Sequence, residues 1–446
     1  MFDRILIANR GEIAVRIMRA CRTLGISPVA VYSEADAAAR HVAEADEAVL
    51  IGPPPAPASY LNSEAILTAA QQTNAQAIHP GYGFLSENAD FARECAAAGL
   101  VFIGPPAEVI RKMGDKVEAR KLMATAGVPI VPGTSGYLNS EPGELAALAE
   151  SVGYPLLIKA AAGGGGIGMI HVAAPEKLTS SLEQAQRRAQ QAFGNPTLYL
   201  ERAIQQPRHI EVQLLGDQYG QLIHLFEREC SVQRRHQKVL EESPSPALDP
   251  ETRQKIAQAA LVAGQAVGYQ SAGTVEFIMD QDRNFYFLEM NTRIQVEHPL
   301  TEMVTGVDLV QEQIKIAAGE PLSIQQSELT QQGHAIECRI YAEDPLNFFP
   351  SPGTITTYEE PSGDHIRLDS WVRSGTVVTH FYDPLLAKLV VWGADRAGAI
   401  ARAQEALAHF RVEGIKTNIP LHQKILAHPA FVAGAYDVSL LAKPLT

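Results

Sequence analysis

Short apolar runs alternate with helical patterns over about the first 110 residues of the chain. The runs predict strands at residues 5–8, 29–32, 75–78 and 101–103. Between the first two, Ile13, Ile17 and Cys21 recur at helical spacing, and Gly25 supplies a C-terminal stop. Strands that alternate with helices predict a mostly parallel sheet. The turn after the first strand, ANRGE, lacks the G-x-G-x-x-G spacing of a dinucleotide site, so NAD is not expected here.

The pattern changes after residue 115. A helix is predicted over 115–126, followed by the Pro/Gly-rich linker GVPIVPGT and a small unit with strands YPLLIKA, MIHVA and LYLER and a helix ending near Ala192. Strand patterns dominate 209–291, where the polar turn QDRN predicts a hairpin. Further strands follow residue 331, and a final helix begins after Asp395. The chain is therefore predicted to be of mixed α/β and α+β class.

The small unit contains a glycine loop, KAAAGGGGIGM, at residues 159–169. Consecutive glycines allow neighbouring N–H groups to turn toward one oxyanion. Lys159, at the end of the preceding strand, adds a point charge suited to phosphate. A flexible hairpin and a nucleotide-binding loop both fit this composition, so both interpretations stay open.

Polar and apolar residues alternate in EMNTRIQVEHP, residues 289–299. In an extended chain one face would carry only polar side chains, namely Glu289, Asn291, Arg293, Gln295 and Glu297. A half-exposed strand with solvated charges is the ordinary explanation. The alternative is an active site, because the strand paired through the hairpin adds Glu276. This alternative assigns Glu276, Glu289 and Asn291 to Mg²⁺, Arg293 and Gln295 to a small oxyanion, and Glu297 to a general base.

Two further segments carry candidate residues. RECSVQRRHQK, residues 228–238, places Arg234, His236 and Lys238 two apart, so an extended chain would point them to the same place. A solvated basic face is the ordinary reading of such a run. The turn IHPGYGFLSEN, residues 78–88, with Tyr82 and Glu87, follows a strand of the predicted sheet and is expected at the mouth of a site.

Length and charge narrow the function. With 446 residues the chain is expected to form two or three domains. A net charge of −13 argues against nucleic acid as the main partner. No apolar run approaches the ~20 residues of a membrane span, and the N-terminus does not resemble a secretory signal, so a cytoplasmic protein is expected. The four cysteines are widely spaced and are predicted to be free thiols.

The ordered blocks IANRGEIAVRI, HPGYGFLSEN, MGDK, RRHQK, EMNTRIQVEHP and GHAIECRI resemble the biotin carboxylase family of the ATP-grasp superfamily over essentially the whole chain. The resemblance implies ATP-dependent carboxylation of biotin by bicarbonate through carboxyphosphate, the first half-reaction of acetyl-CoA and other acyl-CoA carboxylases. It also implies a three-part architecture. The expected parts are a Rossmann-like domain at 1–114, an ATP-grasp domain at 115–330 with a mobile lid at about 132–203, and a mixed β domain at 331–446.

The family's functional residues transfer onto matching positions of this chain. The resemblance assigns the nucleotide to Lys116, Lys159, the amides of Gly165 and Gly166, Glu201, the backbone of Arg202, Ala203 and Ile204, His209, Gln233 and His236. It gives Mg²⁺ (or Mn²⁺) to Glu276, Glu289 and Asn291, and bicarbonate to Lys238, Arg293, Gln295 and the Val296 amide. Glu297 would be the base, Arg339 would stabilise the biotin enolate, and Tyr82 would lie near biotin.

Departures from the family pattern and alternative functions complete the expectation. Ile167 stands where relatives usually have Arg or Lys, Ala162 where glycine is frequent, and Arg202 where Lys is usual. The chain lacks an A-M-K-M biotinylation motif, so the biotinyl lysine must come from another polypeptide or from a part not present here. A biotin carboxyl carrier protein and carboxyltransferase subunits are therefore implied as partners, and the resemblance also implies a homodimer. Two alternatives remain: a non-catalytic nucleotide-binding regulatory protein, and another ATP-grasp carboxylate-amine ligase.

Overall fold

The computed structural model describes residues 1–134, 136–138, 142–161, 169–442 and 445, and for 142–144 the backbone alone. Its N-terminal part is a parallel sheet of strands β1 (Arg4–Ile7), β2 (Ser27–Ser33), β3 (Glu47–Gly52), β4 (Ala77–His79) and β5 (Val101–Phe102). The strand order is β3-β2-β1-β4-β5. The helices of this part are α1 (Gly11–Thr23), α2 (Arg40–Glu44), α3 (Ser63–Gln72), α4 (Ala89–Ala97) and α5 (Ala107–Gly114).

The predicted strands of this part are all present, and the first helix follows the predicted pattern. Ile13, Ile17 and Cys21 are buried on one side of α1, and Gly25 adopts the left-handed conformation just after the helix end (φ +73°). The sequence did not predict β3. This strand lies at the sheet edge with only Ile51 buried, so it lacks the apolar run that marks a central strand.

A small unit with its own sheet follows helix α6 (Lys116–Thr125), which begins where Asp115 accepts hydrogen bonds from the N–H groups of Val117 and Glu118. Its elements are α7 (Pro142–Val152), β6 (Leu156–Ala160), β7 (Ile170–Val172), α8 (Leu178–Phe193) and β8 (Leu198–Arg202). The three strands are those that the sequence runs predicted, and they form an antiparallel sheet in the order β7-β6-β8. Helix α7 was not predicted, because the Pro-Gly pair at its start indicates a turn.

An antiparallel sheet occupies the centre of the molecule. The remaining strands are β9 (Arg208–Gly216), β10 (Leu222–Arg234), β11 (Gln237–Ser243), β12 (Ser271–Met279), β13 (Phe285–Asn291), β14 (His334–Tyr341), β15 (Gly353–Thr354), β16 (Thr357–Glu359), β17 (Ile366–Ser370), β18 (Val377–Val378), β19 (Leu385–Gly393) and β20 (Arg411–Glu413). Eight of them form the central sheet in the order β13-β12-β9-β10-β11-β14-β19-β17. Strands β12 and β13 form the predicted hairpin. Because β11 pairs with β14, the sheet runs across the boundary predicted at residue 330.

The helices beside this sheet are α9 (Pro250–Val267), α10 (His298–Thr305), α11 (Leu309–Ala317), α12 (Arg396–His409), α13 (Ile419–Ala427) and α14 (Pro429–Val432). Helix α12 begins as predicted, with Asp395 accepting a hydrogen bond from the Gly398 N–H. The prediction that it is the final helix is wrong. Prolines in the first turns of α13 and α14 start new helices there, although the same prolines look like helix breakers in the sequence.

The four cysteines are buried free thiols, as predicted. Across the described ranges, no helix combines the length and the apolarity that a bilayer crossing requires.

Candidate active site

The ammonium group of Lys238, on β11, lies among three carboxylates on the central sheet and at its edge. Its Nζ is 2.5 Å from Glu211 Oε2, 2.9 Å from Glu276 Oε1 and 2.6 Å from Glu297 Oε1. Burial alone lowers the pKa of Lys238, but the surrounding acidic groups outweigh it and raise the pKa well above its ordinary value. Lys238 is therefore a permanent cation at the centre of an acidic cluster.

Glu297, the residue just before α10, is held between two cations. Besides Lys238, its other oxygen, Oε2, lies 2.9 Å from Arg339 Nη2 on β14. Burial raises the pKa of Glu297, but Lys238, Arg339 and Arg228 together leave it well below the ordinary value. At neutral pH the buried side chain is thus an ionised carboxylate that can accept a proton from a bound acid.

Sequence reasoning missed two members of this cluster, Glu211 and Arg228. Both are completely buried, and Arg228 Nε donates to Glu211 Oε1 at 2.6 Å. Arg228 also donates to Gln295 Oε1 at 2.8 Å, so it orients a residue predicted to bind bicarbonate. A signal existed for each. Glu211 is two residues from His209 on β9, so the two side chains lie on the same face of the strand. Arg228 is the first residue of the basic segment 228–238, for which a solvated face and a functional role were both considered.

Glu276, on β12, gathers most of the remaining predicted residues. Its Oε1 accepts hydrogen bonds from Asn291 Nδ2 at 2.9 Å and Gln295 Nε2 at 2.7 Å. Its Oε2 is 2.8 Å from His209 Nε2, while the other ring nitrogen of His209 lies 2.8 Å from Gln233 Nε2. Residues predicted for nucleotide, metal and bicarbonate therefore meet at one carboxylate.

The three predicted metal ligands lie together on the β12–β13 hairpin. Glu276 and Glu289 are opposite each other in the strand register, and Asn291 bonds Glu276. Carboxylate and amide oxygens in this number are what Mg²⁺ takes alongside substrate phosphates, so the residues fit the ion. Lys116 Nζ lies 3.2 Å from Glu289 Oε2, which brings the predicted phosphate-binding lysine to the same edge.

The loop predicted at the mouth of the site reaches it through Glu87. Arg293 Nε donates to Glu87 Oε2 at 2.9 Å, and Arg293 Nη2 donates to Asn291 Oδ1 at 2.8 Å. His79, from the strand end before this loop, is instead fully buried, and its Nδ1 accepts a hydrogen bond from the Gly81 N–H. The N-terminal part thus contributes Glu87 to the site.

Two segments that were expected to be extended throughout, residues 289–299 and 228–238, are not. Strand β13 ends at Asn291 and the chain then bends, yet Gln295 and Glu297 still reach the cluster. In the basic segment, His236 lies in the β10–β11 turn with φ +67° and is exposed, so it does not point where Lys238 points. Arg234 instead contacts Glu343, at 3.3 Å. A turn and a bend replace the regular alternation that the sequence patterns indicated.

The small unit brings its predicted lysine and glutamate together. Lys159, on β6, contacts the carboxylate of Glu201, on β8. Glu201 also pairs with Arg120 and is nearly completely buried. Partial burial of its ring lowers the pKa of His236, and the nearby Lys159 lowers it further. The Lys159–Glu201 pair therefore lies close to the β10–β11 turn.

The segment after β8 is tied to the rest of the protein by its backbone. The N–H groups of Arg202 and Ala203 donate to the carbonyls of Pro132, at 2.8 Å, and Pro155, at 2.9 Å. The Arg202 side chain donates to the Val152 carbonyl. Ile204 follows as the last of the three residues predicted to recognise adenine. The predicted Gly165 and Gly166 amides, and the departures at Ala162 and Ile167, lie outside the described residues.

A second buried chain of contacts supports the other side of the cleft. The Tyr82 hydroxyl donates to Glu12 on α1, and Lys388 Nζ lies 3.1 Å from the same carboxylate. Lys388 also donates to the Val296 carbonyl at 2.9 Å. This contact fixes the peptide next to Glu297, and it connects Tyr82 to the loop predicted to bind bicarbonate.

Comparison with known proteins identifies the family of the chain. Family models match at residues 1–110 (Biotin carboxylase, N-terminal domain), 115–325 (Carbamoyl-phosphate synthase L chain, ATP binding domain) and 337–443 (Biotin carboxylase C-terminal domain). The chain is 54% identical over 448 residues to Biotin carboxylase 2 of Bacillus subtilis, with 100% of both chains covered. The chain belongs to the biotin carboxylase family.

Solved structures of this family come from different carboxylases and include nucleotide complexes. The biotin carboxylase of Campylobacter jejuni, solved as a beta-gamma-ATP complex, has a TM-score of 0.97 and 46% identity, with 99% of each chain covered. The biotin carboxylase domain dimer of Hydrogenobacter thermophilus 2-oxoglutarate carboxylase, solved with MgADP and bicarbonate, has a TM-score of 0.96 and 49% identity, over 99% and 97% of the chains. The biotin carboxylase part of a pyruvate carboxylase has a TM-score of 0.85 and 50% identity, over 99% and 98% of the chains. The predicted fold class, a biotin carboxylase of ATP-grasp architecture, is confirmed.

Proposed function

We propose that this chain uses ATP and bicarbonate to carboxylate biotin carried by a partner protein. The observation that carries the proposal is the position of Glu297: a buried, ionised carboxylate between Lys238 and Arg339. One cation lies toward the predicted nucleotide and bicarbonate side and the other toward the predicted biotin side. A base between two such cations can deprotonate bicarbonate next to both reaction partners.

The nucleotide is assigned to the cleft between the small unit and the β12–β13 hairpin. Lys116 and Lys159 would neutralise its phosphates, and their present partners, Glu289 and Glu201, keep both side chains aimed at the cleft. His209, Gln233 and His236 would line the site. With the N–H groups of Arg202 and Ala203 already engaged, the Ile204 N–H is the donor of this segment assigned to adenine.

The metal ligands would be Glu276, Glu289 and Asn291. When bound, Mg²⁺ supplies charge neutralisation at the phosphates, which is the main requirement of phosphoryl transfer. Glu276 Oε1 accepts hydrogen bonds from Asn291 and Gln295, so these side chains hold their orientation before a ligand arrives.

Bicarbonate is assigned to Lys238, Arg293, Gln295 and the Val296 amide. Arg228 orients Gln295, and Glu87 orients Arg293. Glu297, 2.6 Å from Lys238, would take the bicarbonate proton, and the resulting oxyanion would attack the γ-phosphate to give carboxyphosphate and ADP. Carboxyphosphate would break down to CO₂ and phosphate, and the phosphate would take the N1′ proton of biotin. The biotin enolate, stabilised by Arg339 and with Tyr82 beside the ring, would then attack CO₂ through N1′.

The partners follow from this chemistry. The biotin would be held by a carrier protein, and a carboxyltransferase would choose the final acceptor. Relatives of the same fold belong to a 2-oxoglutarate carboxylase and to a pyruvate carboxylase, so the acceptor is a property of the transferase rather than of this site. A homodimer is proposed by analogy with the dimeric Hydrogenobacter domain.

Phosphate release from ATP tests the proposal. The full chain is expected to cleave ATP only when bicarbonate is present and to do so faster when free biotin is added. ATP binding without bicarbonate-dependent cleavage would support a non-catalytic nucleotide-binding protein instead. Cleavage that requires an amine or carboxylate acceptor, with no response to biotin, would indicate a different ATP-grasp ligase.

A further inference from the structure

Glu337, on β14, is a fully buried acid without a partner. Its side chain has no exposure to solvent, and neither carboxylate oxygen accepts a hydrogen bond from any described residue. The strand register places it opposite Glu241 on β11, which is equally buried. Two like charges directly opposite each other destabilise a sheet, and a buried carboxylate without hydrogen bonds is costlier still.

The positive charge near this pair is insufficient to keep both acids ionised. Arg339 Nη2 lies 2.5 Å from Glu241 Oε1, but it also pairs with Glu297 at 2.9 Å. Lys388, the cross-strand neighbour of Arg339, is already paired with Glu12. Burial, the largest cause, raises the pKa of Glu337 well above its ordinary value and that of Glu241 to about 7.

The other titratable groups around the pair do not change this balance. Those that interact with it from its own and neighbouring elements are Arg339, Cys338 and Tyr341 on β14, Lys238 on β11, Cys230 on β10, Lys388 on β19, and Glu297 just before α10. Burial raises the pKa of both thiols and of the Tyr341 hydroxyl, so these three groups are neutral at pH 7.

We propose that Glu337 is a neutral, protonated carboxylic acid and that Glu241 is the anion that holds Arg339 in place when Glu297 accepts the bicarbonate proton. The inference rests on the proposed function and adds two positioning residues to it. Before proton transfer, Arg339 is paired with both Glu297 and Glu241. After transfer Glu297 is neutral, so the contact with Glu241 keeps the guanidinium oriented toward the biotin enolate.

Infrared spectroscopy tests the protonation of Glu337 without reference to activity. At pH 8, above the pKa of about 7 of Glu241, the full chain is expected to show a C=O stretching band of a protonated carboxyl group, and Glu337→Gln is expected to remove that component. Glu242→Gln is the matched control, because Glu242 is the next residue to Glu241, is equally buried, and is ionised through Arg396 and His334. The control should keep the band. A spectrum of Glu337→Gln with the band unchanged would overturn the proposal.

Kinetics with free biotin test the positioning role of Glu241. Glu241→Gln is expected to lower kcat/KM for biotin roughly 10- to 100-fold, because it removes a charged partner of Arg339, while KM for ATP is unaffected. The conservative Glu337→Gln variant has the shape of the neutral acid, so its loss is expected to be much smaller than that of Glu241→Gln. Equal losses in the two variants, or no loss in Glu241→Gln, would refute the inference about Glu241. The proposed function would still stand if the wild-type protein cleaves ATP faster in the presence of biotin.

If the wild-type protein lacks that activity, the proposed function fails instead. The infrared spectrum would then still determine whether Glu337 is protonated.

Discussion

Glu241 and Glu242 are neighbours on β11, yet their carboxylates lie on opposite faces of the central sheet and in opposite electrostatic environments. Glu242 is 2.6 Å from Arg396 Nε and 2.6 Å from His334 Nε2, and it also accepts a hydrogen bond from the Tyr436 hydroxyl. Burial raises its pKa, but these partners leave it below the ordinary value. In the described part of the chain, Glu241 is paired only with Arg339, which also contacts Glu297, and burial raises the pKa of Glu241 to about 7.

The two environments distinguish charged side chains that stabilise the fold from charged side chains that we propose take part in the reaction. On the face of Glu242 the buried acids have cationic partners of their own: Arg396 for Glu242 and Arg208 for Glu229. On the face of Glu241 a few cations are shared among more acids, and Lys238 alone contacts Glu211, Glu276 and Glu297. Incomplete pairing lets a substrate anion or a transferred proton change the charge balance, and strongly shifted pKa values are typical of such functional sites, which is why we propose this face for the reaction.

The largest effect expected on the reactive face comes from Glu297→Gln. The amide cannot accept the bicarbonate proton, so bicarbonate-dependent ATP cleavage should fall by about 10²- to 10⁴-fold. Lys238 retains two carboxylate partners, so the folded state and ATP binding should persist. Phosphate release and an ATP-binding titration measure the two quantities. Full ATP cleavage in the variant would remove Glu297 from the role of base.

On the opposite face, Glu242→Gln is expected to act on stability instead. The substitution leaves the partly buried Arg396 without its anion, and because breaking a fully buried pair costs about 3–5 kcal/mol of unfolding free energy, a loss of at most that size is expected. Urea unfolding followed by circular dichroism measures the loss. Glu251→Gln, which removes an exposed ion pair with Lys255 on α9, is the control and should be nearly neutral. An equally small loss in both variants would mean that the two faces of β11 do not differ as described.

Much of the fold could be predicted from the sequence, because apolar periodicity survives wherever a strand or helix packs on one side. The parallel strands, the β12–β13 hairpin and α1 are of this kind. Strand β3 and helix α13 could not be predicted, since one is an exposed edge and the other starts with a proline. The continuity of the central sheet through the β11–β14 pair also escaped prediction, as it joins residues about 100 positions apart in the chain.

The candidate site was predicted in part for a different reason. Alternation pointed to Glu289, Asn291 and Glu297, although the chain bends after Asn291 and the alternation there does not describe a strand. Arg228 and Glu211 were missed as a pair, because the strand pattern around each residue indicates the face it lies on but not its partner; only the sheet register brings the two side chains together. The register Arg228↔Glu211 is the information that the sequence lacks.

The smallest expected effect is the pH dependence of stability, and its direction should differ between the Glu241 and Glu242 variants. An acid with a raised pKa binds its proton more tightly in the folded state, so its ionisation destabilises the protein as pH rises toward and through the folded pKa. For Glu241, with a pKa of about 7, this penalty grows by about 1.4 kcal/mol between pH 6 and 8. For Glu242, whose pKa is lowered, the contribution is fully present above the ordinary value and stays constant over the same interval. From pH 6 to 8 the unfolding free energy of the wild type should therefore fall relative to that of Glu241→Gln. The unfolding free energy of the wild type relative to that of Glu242→Gln should stay constant over the same interval. Urea denaturation at several pH values measures both differences, and parallel profiles for the two variants would contradict the assignment of opposite environments to the two glutamates.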